Sequence, residues 1–145
     1  MSCPSTGQQF ELPEQLASGA HIIGTLSLCK VLVHDDSTWP WIVLVPMKSE
    51  AVEIHDLSDV EQAQLMREVT MCSRAISRGW APTKINVAAL GCVCRQLHVH
   101  VLGRFEGDRA WPGPVWGKFV PVPYTETELE AAIPKFRAEI WRQTT

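Results

Sequence analysis

Apolar residues recur along this chain in two rhythms. Between Ser58 and Gly79, Leu65, Val69, Cys72 and Ile76 fall at i, i+4, i+7 and i+11, one face of a helix. Ser58 with Glu61 three residues on is a capping box that opens it. Asp59 and Glu61 lie at the positive end of the helix dipole, Arg74 and Arg78 at the negative end, and Gly79 is the expected stop. Thr125 with Glu128 opens a second helix whose apolar face is Leu129, Ile133, Phe136 and Ile140; Pro134 inside it predicts a kink or restart. Residues 11–19 predict a short helix with Pro13 in its first turn and Gly19 at its end. Elsewhere the apolar residues come in short runs. His21–Leu26, Leu28–His34, Trp41–Val45, Lys84–Leu90 and Leu97–Phe105 predict strands, with Asp35-Asp36-Ser37, Pro40 and Pro46 as breaks. Gly107–Gly117 predicts a loop. Strands in short-linked pairs, with helices before, between and after, predict an α+β fold. Residues 1–145 are expected to form one domain.

Composition narrows the class. At 46% hydrophobic and 20% charged residues, the chain is not a disordered one. Sixteen acidic against thirteen basic groups give a net charge of −3, so there is no basic footprint for a nucleic-acid polymer, although a mononucleotide remains open. The longest apolar runs, such as Trp41–Pro46, are far short of the roughly 18 residues a membrane span needs. The N-terminus has no charged start followed by an apolar stretch, so no export signal and a cytoplasmic location are expected. Of the five cysteines, Cys3, Cys29, Cys72, Cys92 and Cys94, none forms a C-x-x-C pair, and free thiols are expected. Cys29 and Cys72 fit small core residues. Six tryptophans favour loops with aromatic anchors.

The chemistry concentrates in Gln96-Leu97-His98-Val99-His100-Val101-Leu102. In a strand, successive side chains alternate, so Gln96, His98 and His100 share one face and Leu97, Val99 and Val101 the other. Two neutral imidazoles about 7 Å apart can divide labour on a phosphate, one attacking and the other donating a hydrogen bond. The same pattern also fits two half-exposed histidines on a sheet surface.

This segment resembles the signature of the histidine-triad (HIT) superfamily, His-φ-His-φ-His-φ-φ with φ apolar, with Gln96 in place of the first histidine. The order hairpin, long helix, strand, histidine strand is similar too. Leu28–Pro46, Asn86–Gly91 and the stretch QLHVHV…RAWPGPVWG more narrowly resemble a bacterial HIT branch with glutamine at that position, diadenosine-polyphosphate-hydrolase-like. The resemblance covers roughly residues 20–120. It implies a HIT-like antiparallel sheet of about five strands, a long central helix, a C-terminal helix and a homodimer. It also implies a nucleotide hydrolase or nucleotidyl transferase acting at the α-phosphate of a nucleoside phosphoramidate, phosphoester or dinucleoside polyphosphate. His98 would be the nucleophile that forms a nucleotidyl-histidine, and His100 would bond a phosphate oxygen. The other ring nitrogen of His98 should be held by a backbone carbonyl that fixes its tautomer. Such a nucleophile needs no bound metal or other cofactor.

Gln96 cannot titrate, but its amide can donate and accept, and it is expected to orient a neighbour on the same face. Asp36, and second Asp35, are the candidates for ribose hydroxyls, and Asn86 for a polar contact to the nucleotide. Where many HIT members place a phosphate-binding hydroxyl, this chain has Gly91-Cys92-Val93-Cys94-Arg95, so backbone amides, Cys94 or Arg95 would serve. Trp111 and Trp116 could fold back over the histidines, with Trp111 preferred as the nearer in sequence. Arg95, Arg104 and Arg109 could raise the local potential or belong to a solvated face. His21, His34 and His55 show no partner pattern. Two other classes stay open: a nucleotide-binding regulator without turnover, and a metal-dependent enzyme using Cys92, Cys94, His98 and His100, or the H-x-H pair with Glu106.

Overall fold

A computed structural model describes residues 9–142; Cys3 lies outside them. The elements are α1 (Glu14–Ala17), β1 (Ala20–Thr25), β2 (Cys29–His34), β3 (Trp41–Pro46), a single 3-10 turn (Ile54–Asp56), α2 (Asp59–Trp80), β4 (Lys84–Ala88), β5 (Val99–Arg104) and α3 (Glu126–Ile140). The strands form one sheet in the order β1-β2-β3-β5-β4, every neighbouring pair antiparallel. The expected α+β architecture, five antiparallel strands with a long central and a C-terminal helix, is the one observed.

Strand β3 is buried at all six positions because both faces of the sheet are covered. On one face Val31, Val33, Ile42, Leu44, Val99 and Val101 pack against Leu65, Val69, Cys72 and Ile76 of α2 and Phe136 and Ile140 of α3. On the other, Leu32, Trp41, Val43, Val45 and Leu102 pack against Trp39, Ala110 and Val115 from connecting segments. Register keeps the two sets apart: Val43 lies opposite His100, and Ile42 opposite Val101.

Three local expectations are corrected. Helix α2 does not stop at Gly79 but runs to Trp80, and Ala81 takes the left-handed cap at φ 49°, its N–H bonded to the Ser77 carbonyl. Helix α3 is continuous through Pro134. Pro134 and Glu130, whose carbonyl loses its partner, are both exposed, so water can take the orphan acceptor. The first helix is a single turn, with Pro13 as its cap rather than within it. Both capping boxes form as expected. No helix among the described residues is long and apolar enough to cross a membrane.

Glu68 is fully buried on the core face of α2, an unusual place for a carboxylate. Its oxygens accept from the backbone N–H groups of Leu28 (3.0 Å) and Cys29 (3.1 Å), tying α2 to the β1–β2 hairpin. Burial pushes the Cys72 thiol up to about 12, and the Glu68 charge adds to it. Glu68→Ala should therefore lower stability by about 2–4 kcal/mol, because two buried donors lose their acceptor. Glu68→Gln should lose less, since its amide oxygen still accepts. Urea unfolding checks this; a loss below about 1 kcal/mol for the alanine variant would show that the tie is dispensable.

Candidate active site

His98 immediately precedes β5, and His100 is its second residue. The two rings lie 5.2 Å apart between centroids, at 67°. They are 7% and 8% exposed, so the face expected to be open is largely covered. The cover comes from Trp116, whose ring centroid is 5.6 Å from that of His100, and from Trp41, 5.7 Å from it.

Each imidazole has one nitrogen fixed, and in opposite senses. Nδ1 of His98 lies 2.7 Å from the backbone carbonyl of Gln96. A carbonyl only accepts, so Nδ1 carries the proton and Nε2 keeps its lone pair. Nδ1 of His100 accepts from the indole N–H of Trp41 at 2.9 Å, which puts its proton on Nε2. The site therefore offers one basic and one donating ring nitrogen. Burial, then the neighbouring His98 and His34, pulls the His100 pKa down to about 3, so this ring stays a neutral donor.

A cavity of about 500 Å³ opens beside the pair. Leu16, Leu32, Val43, Leu90 and Val93 make its wall mostly apolar, with His34, Cys92 and Cys94 among its polar members. A second, polar recess of about 240 Å³ shares Leu90, Gly91 and His98 with it and adds Arg95, His55 and Glu53. A third chamber, about 160 Å³, lies behind Trp116 and contains Asp36.

The predicted site residues separate into two groups. His98, His100, Cys94 and Arg95 come together around the cavities. Asp36 is buried; its Oδ1 accepts from the Thr38 N–H and its Oδ2 lies 3.4 Å from Arg109. Asp35 does not reach the histidines: its Oδ1 accepts from the Tyr124 N–H and lies 3.1 Å from Nε2 of His21. Asn86 also points elsewhere, its Oδ1 accepting from Arg104 at 3.0 Å. Trp111 lines none of these three cavities and lies against Arg104, 5.8 Å from guanidinium to ring. Trp116 occupies the place expected of Trp111.

Gln96 is a further correction. Strand pairing begins only at Val99, so the alternation does not extend back to Gln96. Its side-chain amide donates to the carbonyls of Lys48 (3.2 Å) and Pro46 (3.4 Å), and its backbone oxygen, not its side chain, meets His98. Arg104, expected near a solvated face, is buried and held by both oxygens of Asp108. Sequence reasoning missed His34 and Trp41 at the site. Their rings stack 4.2 Å apart, and the signal available was parity: His34 shares its face with Leu32, and Trp41 with Val43.

A model of the HIT domain matches residues 15–107, well over half of the chain. The chain belongs to the HIT family. Among solved structures, a histidine triad protein from Bradyrhizobium japonicum is 45% identical, covering 92% of this chain and 99% of its own, with a TM-score of 0.88. One from Marinobacter aquaeolei is 42% identical, covering 94% and 99%, with a TM-score of 0.90. A third, from Sinorhizobium meliloti, is 38% identical, covering 90% and 96%, with a TM-score of 0.87. Comparison with curated proteins finds no match. HIT membership supports, in general terms, nucleotide binding or hydrolase or transferase activity on nucleotides.

In this HIT site the burial of His100 makes a pH prediction. Its folded pKa of about 3 lies below the ordinary 6.5, so between those values the unfolded chain binds a proton that the folded one refuses. His100 should then subtract stability progressively as pH falls from about 6.5 toward 3, and its ring carbons should not titrate by NMR above pH 5. His100→Gln should flatten this part of the stability–pH curve. A normal titration near 6.5 would contradict the burial of this ring.

Proposed function

We propose that this HIT protein is a nucleotide hydrolase or nucleotidyl transferase in which Nε2 of His98 attacks the α-phosphorus of a nucleoside phosphoramidate, phosphoester or dinucleoside polyphosphate. The observation that carries the reading is the opposed pair of fixed tautomers, a lone pair on one ring and an N–H on the other. The attack forms a nucleotidyl-histidine, and water then releases a nucleoside monophosphate. Nε2–H of His100 donates to a phosphate oxygen on which charge builds up. The cavity of about 500 Å³, with its apolar wall, suits the base of a nucleoside. Gln96 acts through its backbone carbonyl, which explains how a residue that cannot titrate stands at the first triad position. Its side chain holds the end of β3 against the loop that carries Arg95.

A metal-dependent reading finds less support, because among the described residues no three His, Cys, Asp or Glu side chains are grouped so as to share an ion. The homodimer implied by the HIT resemblance belongs to the same proposal. Strand β4 is a sheet edge with half-exposed Val87, which suits pairing of two sheets.

His98→Ala should abolish turnover while the fold persists. His100→Ala should lose roughly a hundredfold, about 2.7 kcal/mol, as for one donor to a developing oxyanion. Acid-quenched wild type incubated with a dinucleoside polyphosphate should show an intact mass raised by one nucleotidyl group, absent in His98→Ala. Wild-type hydrolysis by His98→Ala would end the proposal. Binding without any adduct or turnover would make the protein a nucleotide-binding regulator.

A further inference from the structure

Helix α2 packs on the side of β5 that carries Val99 and Val101, away from His100. An amphipathic helix ordinarily turns polar side chains to water. On the outer side of α2, however, Met66 and Met71 are 62% and 41% exposed. They flank Arg67 and Arg74, and the short Ala63 and Thr70 leave room between these longer side chains. Together with Ile140 at the end of α3, they line a groove of about 430 Å³. Arg78 holds the two helices together at one end of it, donating to the Glu139 carboxylate (3.0 Å) and to the Glu139 backbone carbonyl (2.7 Å). Arg142, also on the lining, lies 3.9 Å from the same carboxylate.

The charge of this groove runs against that of the chain. The net charge is −3, yet four arginines and no carboxylate line the groove. Between Gln62 and Trp80 the only acidic residue of α2 is Glu68, and it is turned into the core. Glu139 takes up part of the charge of Arg78 and Arg142. Arg67 donates to the amide oxygen of Gln64, and among the described residues neither Arg67 nor Arg74 lies within ion-pair distance of a carboxylate. Arg74 and Arg78 are like charges four residues apart on one helix, an arrangement that repels until an anion joins it.

We propose that this groove docks an acidic amphipathic helix of a partner protein, with the helix's apolar stripe on Met66 and Met71 and its carboxylates on Arg67 and Arg74. An apolar floor rimmed by cations is the complement of such a helix. Methionine is an adaptable floor, and the guanidinium fork pairs with carboxylates through two hydrogen bonds at once. Other occupants fit less well. No aromatic ring lines the groove, so a nucleic-acid base has nothing to stack on. A bilayer takes apolar side chains that project into it rather than a concavity. A small anion would satisfy the arginines and leave both methionines in water. The groove and His98 lie on opposite sides of the sheet, so this docking face and the histidine chemistry are independent.

The probe is a fluorescein-labelled synthetic helix of about 18 residues, with leucine recurring at i, i+3, i+4 and i+7 and glutamate and alanine at the other positions. The full chain should bind it with a Kd below about 100 μM, read by fluorescence anisotropy. Arg67→Gln combined with Arg74→Gln should weaken binding about tenfold or more, and Met66→Gln combined with Met71→Gln about fivefold or more. A scrambled peptide of the same composition, with the same charge and no stripe, should bind about tenfold more weakly. All four replaced side chains are exposed, so the variants should keep the wild-type urea midpoint. Methyl NMR gives a second readout: the Met66 and Met71 signals should shift on titration while that of Met47, which lies off the groove, stays in place. Failure of the peptide to bind, equal binding of the scrambled peptide, or wild-type affinity in the arginine variant overturns the proposal. So does a shift of Met47 alone, or tighter binding to anionic phospholipid vesicles or to a single-stranded oligonucleotide than to the peptide.

Discussion

The covered face of the sheet depends on one buried carboxylate. Asp108 accepts from Nε and Nη2 of Arg104 (2.8 and 3.0 Å), from the Trp39 indole N–H (2.9 Å) and from the backbone N–H groups of Phe105 and Ala110. Burial alone would raise the Asp108 carboxyl, but these donors outweigh it and hold the group well below the usual carboxylate range. A charge pair in so dry a place survives only when nearly every lone pair is used, and here five donors converge on two oxygens. The segment after β5 is thereby folded back onto the sheet. Ala110, Val115 and Trp116 then pack over Trp41 and Val43. Without that clamp the histidines would sit on an open, wet surface.

Covering the histidines changes what they are. In water a neutral imidazole samples two tautomers; here the neutral form of each ring is confined to one of them by its hydrogen bond. One partner is a carbonyl, supplied because the chain bends at Gln96 before pairing begins. The other is an indole N–H from β3, brought into reach because β3 pairs antiparallel with β5 so that Trp41 and His100 fall on one face. Identical side chains two residues apart thus acquire unlike roles from backbone topology.

Much of this was legible in the sequence, and what was not has physical reasons. The helix caps and the two histidines follow from local chemistry, and the α+β architecture from the spacing of apolar runs. The carbonyl on His98 follows from the need to fix a tautomer. Trp116 could not be told from Trp111 because both lie in a segment without periodicity, and its path is set by Asp108, a contact that crosses elements. Asp35 and Asn86 are hard to place from sequence for a related reason. A short polar side chain at a strand end has several partners in reach, and here a distant backbone N–H and Arg104 are the ones it meets. Gln96 leaves the histidine face because strand pairing begins only at Val99, three residues on, so alternation does not reach it.

The register of β5 has an evolutionary side. Its odd positions, Val99 and Val101, belong to the packed helix layer, and its even ones, His100 and Leu102, to the reactive layer. Both layers are packed, so substitutions on either side cost stability, but only those in the layer of His100 also reach the site. The arrangement tolerates exchange of residues but not a change in their number. One residue inserted between His100 and Leu102 would exchange the assignments downstream, sending Leu102 toward the helices. Over descent, this strand can be rewritten letter by letter but not lengthened by one.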